Sequence, residues 1–281
     1  MNTRFWALIP ASVGAILTFP AGGQTFRDCH ECPQMVSIAP GAVSADEPKS
    51  KKKRQRIVVK QRYAISKFEV TRGQYAAFIA ATGYKTGSCL HKKGRRWENN
   101  SVRNWTNPGF KQTSDEPVVC VSHGDANAYV KWLSGVTGEK YRLPTEAEWH
   151  YAAIGKEGSF PFSKRFKKHD ERCKYANAAD MTLKQKYPKA QISTCEDRYI
   201  HTAPIGRFKT NGFGLHDMLG NVSEWLARSD KKSANIARGG SWIMMAGAGR
   251  SAYRYRNSTK ERYTDIGFRV ARTPGKRREH N

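Results

Sequence analysis

The sequence predicts an α+β domain with a few short helices, several short strands and a low content of regular structure. Three observations point that way. Three segments open on the same pair of end-signals: Thr71 with Gln74, Ser122 with Asp125, and Thr145 with Glu148. A hydroxyl followed three residues later by an acid or amide satisfies two orphan backbone donors at a helix start. Strand-like runs are short, and Ile57 to Val70 alternates only patchily. Finally, the stretch from Gly212 to Arg272 keeps neither a helical nor a strand period for long. Its glycines stand where backbone must turn sharply or be approached closely.

In chain order, residues 1–23 read as a secretory signal. Arg4 gives a positive start, Phe5 to Phe19 an apolar run, and Ala21-Gly22-Gly23 a small-residue cleavage site. The run is short for a bilayer span and carries Pro10 and Gly14. Cys29 follows Phe26-Arg27-Asp28, which does not resemble a lipoprotein acylation site. The expectation is a cleaved signal, a domain over 24–275 and a basic tail over 276–281. The mature chain would then be periplasmic or extracellular, with no integral membrane span.

Gly41 to Gln55 is polar and charged and reads as an exposed loop. Its Lys51-Lys52-Lys53-Arg54 run could pass for a nuclear signal, a reading that export overrides. The first helix presents Tyr75, Phe78, Ile79 and Thr82 and ends at Gly83. The second spaces Ala126, Tyr129, Val130 and Leu133 for one buried face. The third runs through Ala153 and stops at Gly155. Trp132 and Trp149 read as core. Gly87 to Asp115 reads as a long loop, and Phe160 to Tyr199 as basic, loop-rich chain.

A length of 281 residues suits one large domain able to bury a sizeable core. With 38% hydrophobic residues and a mean hydropathy of −0.71, the bulk is soluble. The formal net charge of +25, from 49 basic and 24 acidic residues, favours weak, non-specific attraction to polyanions. No recognisable nucleic-acid-reading module accompanies it. Export would place the six cysteines in an oxidising compartment, where an even number suggests pairing. Many pairings are open; the local set joins Cys29 with Cys32, Cys89 with Cys120, and Cys173 with Cys195. The Cys29-His30-Glu31-Cys32 motif lacks a second Cys-x-x-Cys for zinc and a following histidine for haem, so a structural bridge is favoured.

Within the irregular stretch, Asp217 and Glu224 flank a Gly-Asn turn. Carboxylates and main-chain carbonyls could converge there on one cation, and hard oxygen ligands suit calcium. The competing reading is a turn cap and a solvated acid.

The motifs Gly212-Phe213-Gly214-Leu215-x-Asp217-Met218-x-Gly220-Asn221-Val222-x-Glu224-Trp225, Arg238-Gly239-Gly240-Ser241-Trp242 and Gly267-Phe268-Arg269-Val270-Ala271-Arg272 resemble those of the formylglycine-generating enzyme family, the sulfatase-modifying factor domain. Upstream, Phe68-Glu69-Val70-Thr71, Pro117-Val118-Val119-x-Val121-Ser122 and Tyr141 to Trp149 follow in that family's order. The resemblance covers about residues 30 to 272 and implies a variant of the C-type lectin fold. It also implies two calcium sites. One would use Asn177, Ala178, Asp197 and Tyr199; the other Asp217, Gly220, Val222 and Glu224. Side-chain oxygens would come from Asn177, Asp197, Asp217 and Glu224, and carbonyls from the rest.

At the family's oxidase centre the sequence departs. Members that convert a substrate cysteine to formylglycine hold copper(I) on cysteines three and eight positions after the Ser of Gly-Gly-Ser. Here those positions are Met244 and Gly249, while Ser241 is retained and Asp265 stands where oxidases tend to carry Asn. Two adjacent thioethers, Met244 and Met245, make a poor copper(I) site without a thiolate or imidazole. His123, His216 and Ser241 lack the nucleophile elbow a hydrolase would show. Two readings follow. One is an exported binding or accessory module whose Tyr253, Arg254, Arg256 and Arg269 line a groove for a peptide, protein or anionic ligand. The other is a formylglycine-generating-type oxidoreductase, or another enzyme acting on a protein or peptide, working through a rearranged site. The missing cysteine pair favours the first.

Overall fold

The computed structural model describes residues 23–45, 55–93, 96–155, 169–228, 235–244, 255–257 and 260–274. Residues 1–22 of the expected signal over 1–23, the basic tail over 276–281, the Lys51-Lys52-Lys53-Arg54 run, Met245, Gly249, Tyr253 and Arg254 lie outside them.

The chain starts with β1 (Thr25–Phe26), β2 (Met35–Ile38), β3 (Gly41–Ala45), β4 (Gln55–Val59) and β5 (Tyr63–Ser66). Helix α1 (Arg72–Thr82) follows, then β6 (Cys89–Lys93), β7 (Arg96–Asn100), α2 (His123–Thr137), β8 (Lys140–Arg142) and α3 (Glu146–Ile154). Beyond a 3-10 turn at His169–Lys174 come α4 (Met181–Lys186), β9 (Ser223–Trp225), β10 (Asn235–Arg238), β11 (Tyr255–Asn257), β12 (Ile266–Gly267) and β13 (Ala271–Thr273). Short helices, small sheets and long irregular connections make up the expected α+β fold.

All three capping boxes form as the sequence predicts. At α1, Gln74 N–H donates to Thr71 Oγ1 and Thr71 N–H to Gln74 Oε1, both at 3.1 Å. Ser122 and Asp125 close the same ring on α2, and Thr145 and Glu148 on α3. Gly83 and Gly138 end α1 and α2 in the left-handed region, at φ 64° and 72°. Tyr75 and Phe78 of α1 meet Tyr129 of α2 with ring centroids 6.2 and 5.8 Å apart. These rings share a core with Leu133, Trp225, Phe268 and Val270. A second core gathers Ile38, Ile65, Trp149, Leu215, Leu219 and Leu226.

The main sheet has the order β1-β2-β5-β13-β8. Strand β13, near the chain's end, lies between β5 and β8, with Ala271 opposite both Ile65 and Arg142. The second sheet, β11-β10-β9-β12, carries the Glu224 strand at its centre and pairs β12 with β9 in parallel.

Three expectations are corrected. Gly41–Ala45 is a strand paired with β4, not part of a loop. The Ile57–Val70 run breaks at Lys60–Arg62 into two strands that serve different sheets. The expected loop over 87–115 contains the β6–β7 hairpin, whose order comes from tertiary ties rather than alternation. Cys89 is bridged to Cys120, Leu90 bonds Arg262 and Thr264 through its backbone, and Trp97 stands edge-on to Tyr263.

Candidate functional site

The loop from Asn211 to Glu224 is fixed at its start by the Asn211 side chain. Its Oδ1 accepts from Phe213 N–H and its Nδ2 donates to the Ala152 carbonyl of α3. Four of the next residues take left-handed backbone: Gly214 at φ 75°, Asp217 at 56°, Gly220 at 71° and Asn221 at 53°. The turn folds Asp217 inward, where Gly206 N–H donates to Oδ2 at 2.9 Å. Asp217 Oδ1 is buried and has no partner among the described residues. Burial pushes the Asp217 carboxyl up to about 6.

Beside this loop runs the segment Ser66–Glu69. His216 N–H donates to the Lys67 carbonyl at 3.1 Å, and the Phe68 and His216 rings lie 5.0 Å apart. Glu69 is buried here, and neither of its oxygens accepts a hydrogen bond from another described residue. Burial first, and the Asp217 charge second, raise its carboxyl well above the usual range. Glu224 is treated differently. Its Oε2 accepts from Trp149 Nε1 at 2.6 Å and Arg269 Nε at 2.7 Å, and its Oε1 from Arg269 Nη2 at 2.8 Å. Both members of this ion pair have no exposed side-chain surface. The solvated-acid reading of Glu224 is thereby corrected.

The second loop is tied to the first through two asparagines. Asn177 Nδ2 donates to Asn221 Oδ1 at 3.1 Å and to the His201 carbonyl at 2.7 Å, and Asn221 N–H donates to the Asn177 carbonyl. Gly220 is packed so tightly here that a Cβ would lie 2.0 Å from the Asn177 carbonyl oxygen. Asn177 Oδ1 is buried without a partner among the described residues. Asp197 accepts from Ala178 N–H at 2.9 Å and Tyr199 N–H at 2.8 Å. Burial pushes its carboxyl up to about 7, against those two hydrogen bonds. Asp180 caps α4 at Leu183 and accepts from Asp197 N–H, and the Cys173–Cys195 bridge staples this loop. The three bridges join Cys29–Cys32, Cys89–Cys120 and Cys173–Cys195, leaving no free cysteine. The unpartnered donors at both loops are oxygens, which suit a hard cation.

At the oxidase position, Ser241 Oγ donates to Asp265 Oδ2 at 2.7 Å. Both residues are buried, and Asp265 Oδ1 has no partner among the described residues. Burial pushes the Asp265 carboxyl up to about 6, with the Ser241 hydrogen bond and the Lys92 charge pulling the other way. Met244 sits at the edge of this region, its N–H on the Ser241 carbonyl and its carbonyl on Ala179 N–H.

Arg269 does not line a groove. It is buried, and it donates to the carbonyls of Ser66, Lys67 and His216 as well as to Glu224, which occupies its fork. Arg256 belongs to β11. His123, His216 and Ser241 do not form a triad: the two rings bond the carbonyls of Leu226 and Phe208, and Ser241 bonds Asp265. Sequence reasoning did not single out Glu69, Asp180 and Asn221, which the structure packs among the candidate residues. Glu69 and Asn221 lie inside recurring motifs, which was the available signal.

The match to the sulfatase-modifying factor enzyme 1-like domain spans residues 22–274, and the chain belongs to this formylglycine-generating enzyme family. It is 33% identical over 183 residues to the inactive C-alpha-formylglycine-generating enzyme 2 of Mus musculus, covering 61% of this chain and 54% of that protein. The chain thus spans about half the length of that relative. It is 27% identical over 255 residues to the formylglycine-generating enzyme of Streptomyces coelicolor, covering 74% of this chain and 77% of the other. A 29% match over 173 residues joins it to the chaperone protein LppX of Paenibacillus barcinonensis, covering 57% of this chain and 60% of that one. Among solved structures, PvdO from Pseudomonas aeruginosa superposes with a TM-score of 0.74 at 30% identity, covering 90% of this chain and 99% of that one.

Proposed function

We propose that the chain is an exported accessory or binding module of its family, working without the copper(I) oxidase step, with calcium ordering its loops. One observation carries the reading: all six cysteines are committed to bridges, so no thiolate is at hand to hold copper(I) or engage a substrate thiol. A thioether such as Met244 can neither deprotonate nor exchange with a cysteine. The relatives named as an inactive enzyme and as a chaperone protein support an accessory role. Three bridges support an oxidising compartment, and among the described residues no helix is long and apolar enough to cross a membrane. Tyr253, Arg254 and Arg256 remain the candidates for contacting a peptide, protein or anionic ligand. Incubating the protein with a sulfatase-type cysteine peptide and copper should leave the peptide mass unchanged. Loss of the thiol sulfur with aldehyde formation would overturn the reading.

A second reading, an enzyme with a rearranged centre, is favoured by the buried Ser241–Asp265 pair. A carboxylate whose pKa is raised toward neutrality beside a hydroxyl suits acid–base work. Turnover of a peptide or protein that Asp265→Asn abolishes, without loss of fold, would establish it.

A further inference from the structure

We propose that the Cys29–Cys32 bridge is an exchangeable disulfide that oxidises a dithiol of an incoming polypeptide, with Cys29 as the sulfur attacked and Cys32 as the sulfur released. This goes beyond the accessory reading above and needs no metal. The sequence favours a structural role for the bridge, but its two sulfurs are placed unequally. Cys29 is the only exposed cysteine of the six, whereas Cys32 is 1% exposed and shares a core with Met35 and Tyr141. Between them, His30 and Glu31 pair with each other in solvent, with side chains 95% and 82% exposed. Cys89, Cys120 and Cys195 are buried, and Cys173 is half-buried. Exposed disulfides are the ones that exchange, at rates that follow access to the sulfur attacked.

The turn is held without its sulfurs. Cys32 N–H donates to the Cys29 carbonyl at 3.2 Å, and the Arg27 guanidinium donates to the Cys32 carbonyl. Asp28 accepts from Arg272 Nη1 at 2.8 Å and from the Tyr141 hydroxyl, which pins the start of the turn to β13 and β8. On its far side Met35 of β2 pairs with Phe26 of β1. The bridge also closes the shortest loop, a separation of 3 against 31 and 22, so it removes the least chain entropy from the unfolded state. Such a bond can open and close while the domain stays folded. Arg27, seated on the residue whose sulfur leaves, adds a positive charge that favours the departing thiolate.

The exchange balances without another reagent. A partner thiolate attacks Cys29 Sγ, the Cys29–Cys32 bond breaks, and the electron pair leaves on Cys32 Sγ, which takes up a proton. The partner's second thiolate attacks the partner sulfur of the mixed disulfide and displaces Cys29. Two electrons pass from the partner, which ends as a disulfide, to Cys29 and Cys32, which end as thiols with the two protons the partner lost. A further round needs a second disulfide, on a small molecule or a protein, to re-form the bridge.

The test incubates the whole oxidised protein with a reduced synthetic peptide that carries two cysteines spaced Cys-x-x-Cys. Samples are quenched with acid, alkylated and mapped by mass spectrometry. One peptide disulfide should form for each Cys29–Cys32 bridge lost, at least tenfold faster than either other bridge opens. The rate should also exceed, at least tenfold, that of an oxidised synthetic peptide of residues 27–34. A rate no greater than that of the 27–34 peptide would mark an exposed structural bridge and overturn the proposal. Loss of all three bridges together, with the fold, would overturn it as well. Two variants check the direction of attack. With the oxidised Cys-x-x-Cys peptide, Cys32→Ser should accumulate a mixed disulfide at Cys29, and Cys29→Ser should not. Equal trapping by the two would overturn the assignment of roles. Failure of the exchange leaves the accessory reading standing, whereas aldehyde formation on a sulfatase-type peptide would break that reading and leave this one.

Discussion

Around the helices, buried carboxylates are met by guanidinium groups. Asp125 receives Arg262 on both oxygens, at 2.7 and 2.9 Å, and also takes Ser122 N–H and the Tyr84 hydroxyl. Glu148 receives the Arg142 fork, and Asp28 receives Arg272 and Tyr141. Among the loops of the second half, Asp217, Asp265 and Asn177 each leave a buried oxygen without a partner among the described residues, and Glu69, packed against them from just before α1, leaves two. Burying a polar group without a partner is costly, and burying an ion so is costlier. The first region spends its charges on holding elements together. The second leaves acceptors that no described residue satisfies, and a proton, a water or a cation would suit them.

The largest expected effect breaks a pair in the first region. Arg262→Met strands the Asp125 carboxylate, which is 1% exposed, and should cost about 3–5 kcal/mol in denaturant unfolding. A loss below about 1 kcal/mol would mean that the pairing does not organise that half.

Next comes the junction of the two loops. Gly220→Ala must place a Cβ where the Asn177 carbonyl stands, at a φ of 71°. Left-handed strain of roughly 1–2 kcal/mol and overpacking of roughly 1–3 kcal/mol add, so a loss of about 2–5 kcal/mol is expected. The same change at Gly83, which has open space at φ 64°, should show the strain alone.

The smallest effect is one of slope. Burial pushes the Asp265 carboxyl up to about 6 from its ordinary 3.8, so the folded state keeps a proton that the unfolded chain releases. Its contribution to stability is full below about pH 4 and is lost as pH rises to about 6. The loss is at most about 1.4 kcal/mol per pH unit. Asp265→Asn cannot ionise and should flatten the melting profile over that interval. Parallel profiles for the two proteins would place the charge in solvent instead.

The first region was far more legible in the sequence than the second. The capping boxes at Thr71, Ser122 and Thr145 are complete within four residues, so their chemistry can be read locally. The bridge Cys29–Cys32 is as local, while Cys89–Cys120 and Cys173–Cys195 join nearest neighbours in the cysteine order across 31 and 22 positions. The hairpin Cys89–Asn100 was hidden because its strands, Cys-Leu-His-Lys-Lys and Arg-Trp-Glu-Asn-Asn, do not alternate, and contacts to residues 262–264 hold them. Arg269 looked like a binding residue because its motif does not say what it faces. Its partners lie 45 positions away at Glu224 and 203 away at Ser66. Glu69 was quoted only as part of a motif, since its meaning depends on a loop nearly 150 residues later in the chain.

Strand β13 has a consequence for how the molecule is made. It fills the gap between β5 and β8, so the main sheet stays split until some of the last residues arrive. Contacts of such long range are slow to form, because loop closure is paid before any pairing rewards it. A chain delivered from its N-terminus therefore waits for Ala271–Thr273 before β5 and β8 are joined. Until then β5 presents an unpaired edge, open to other chains as well as to its own end.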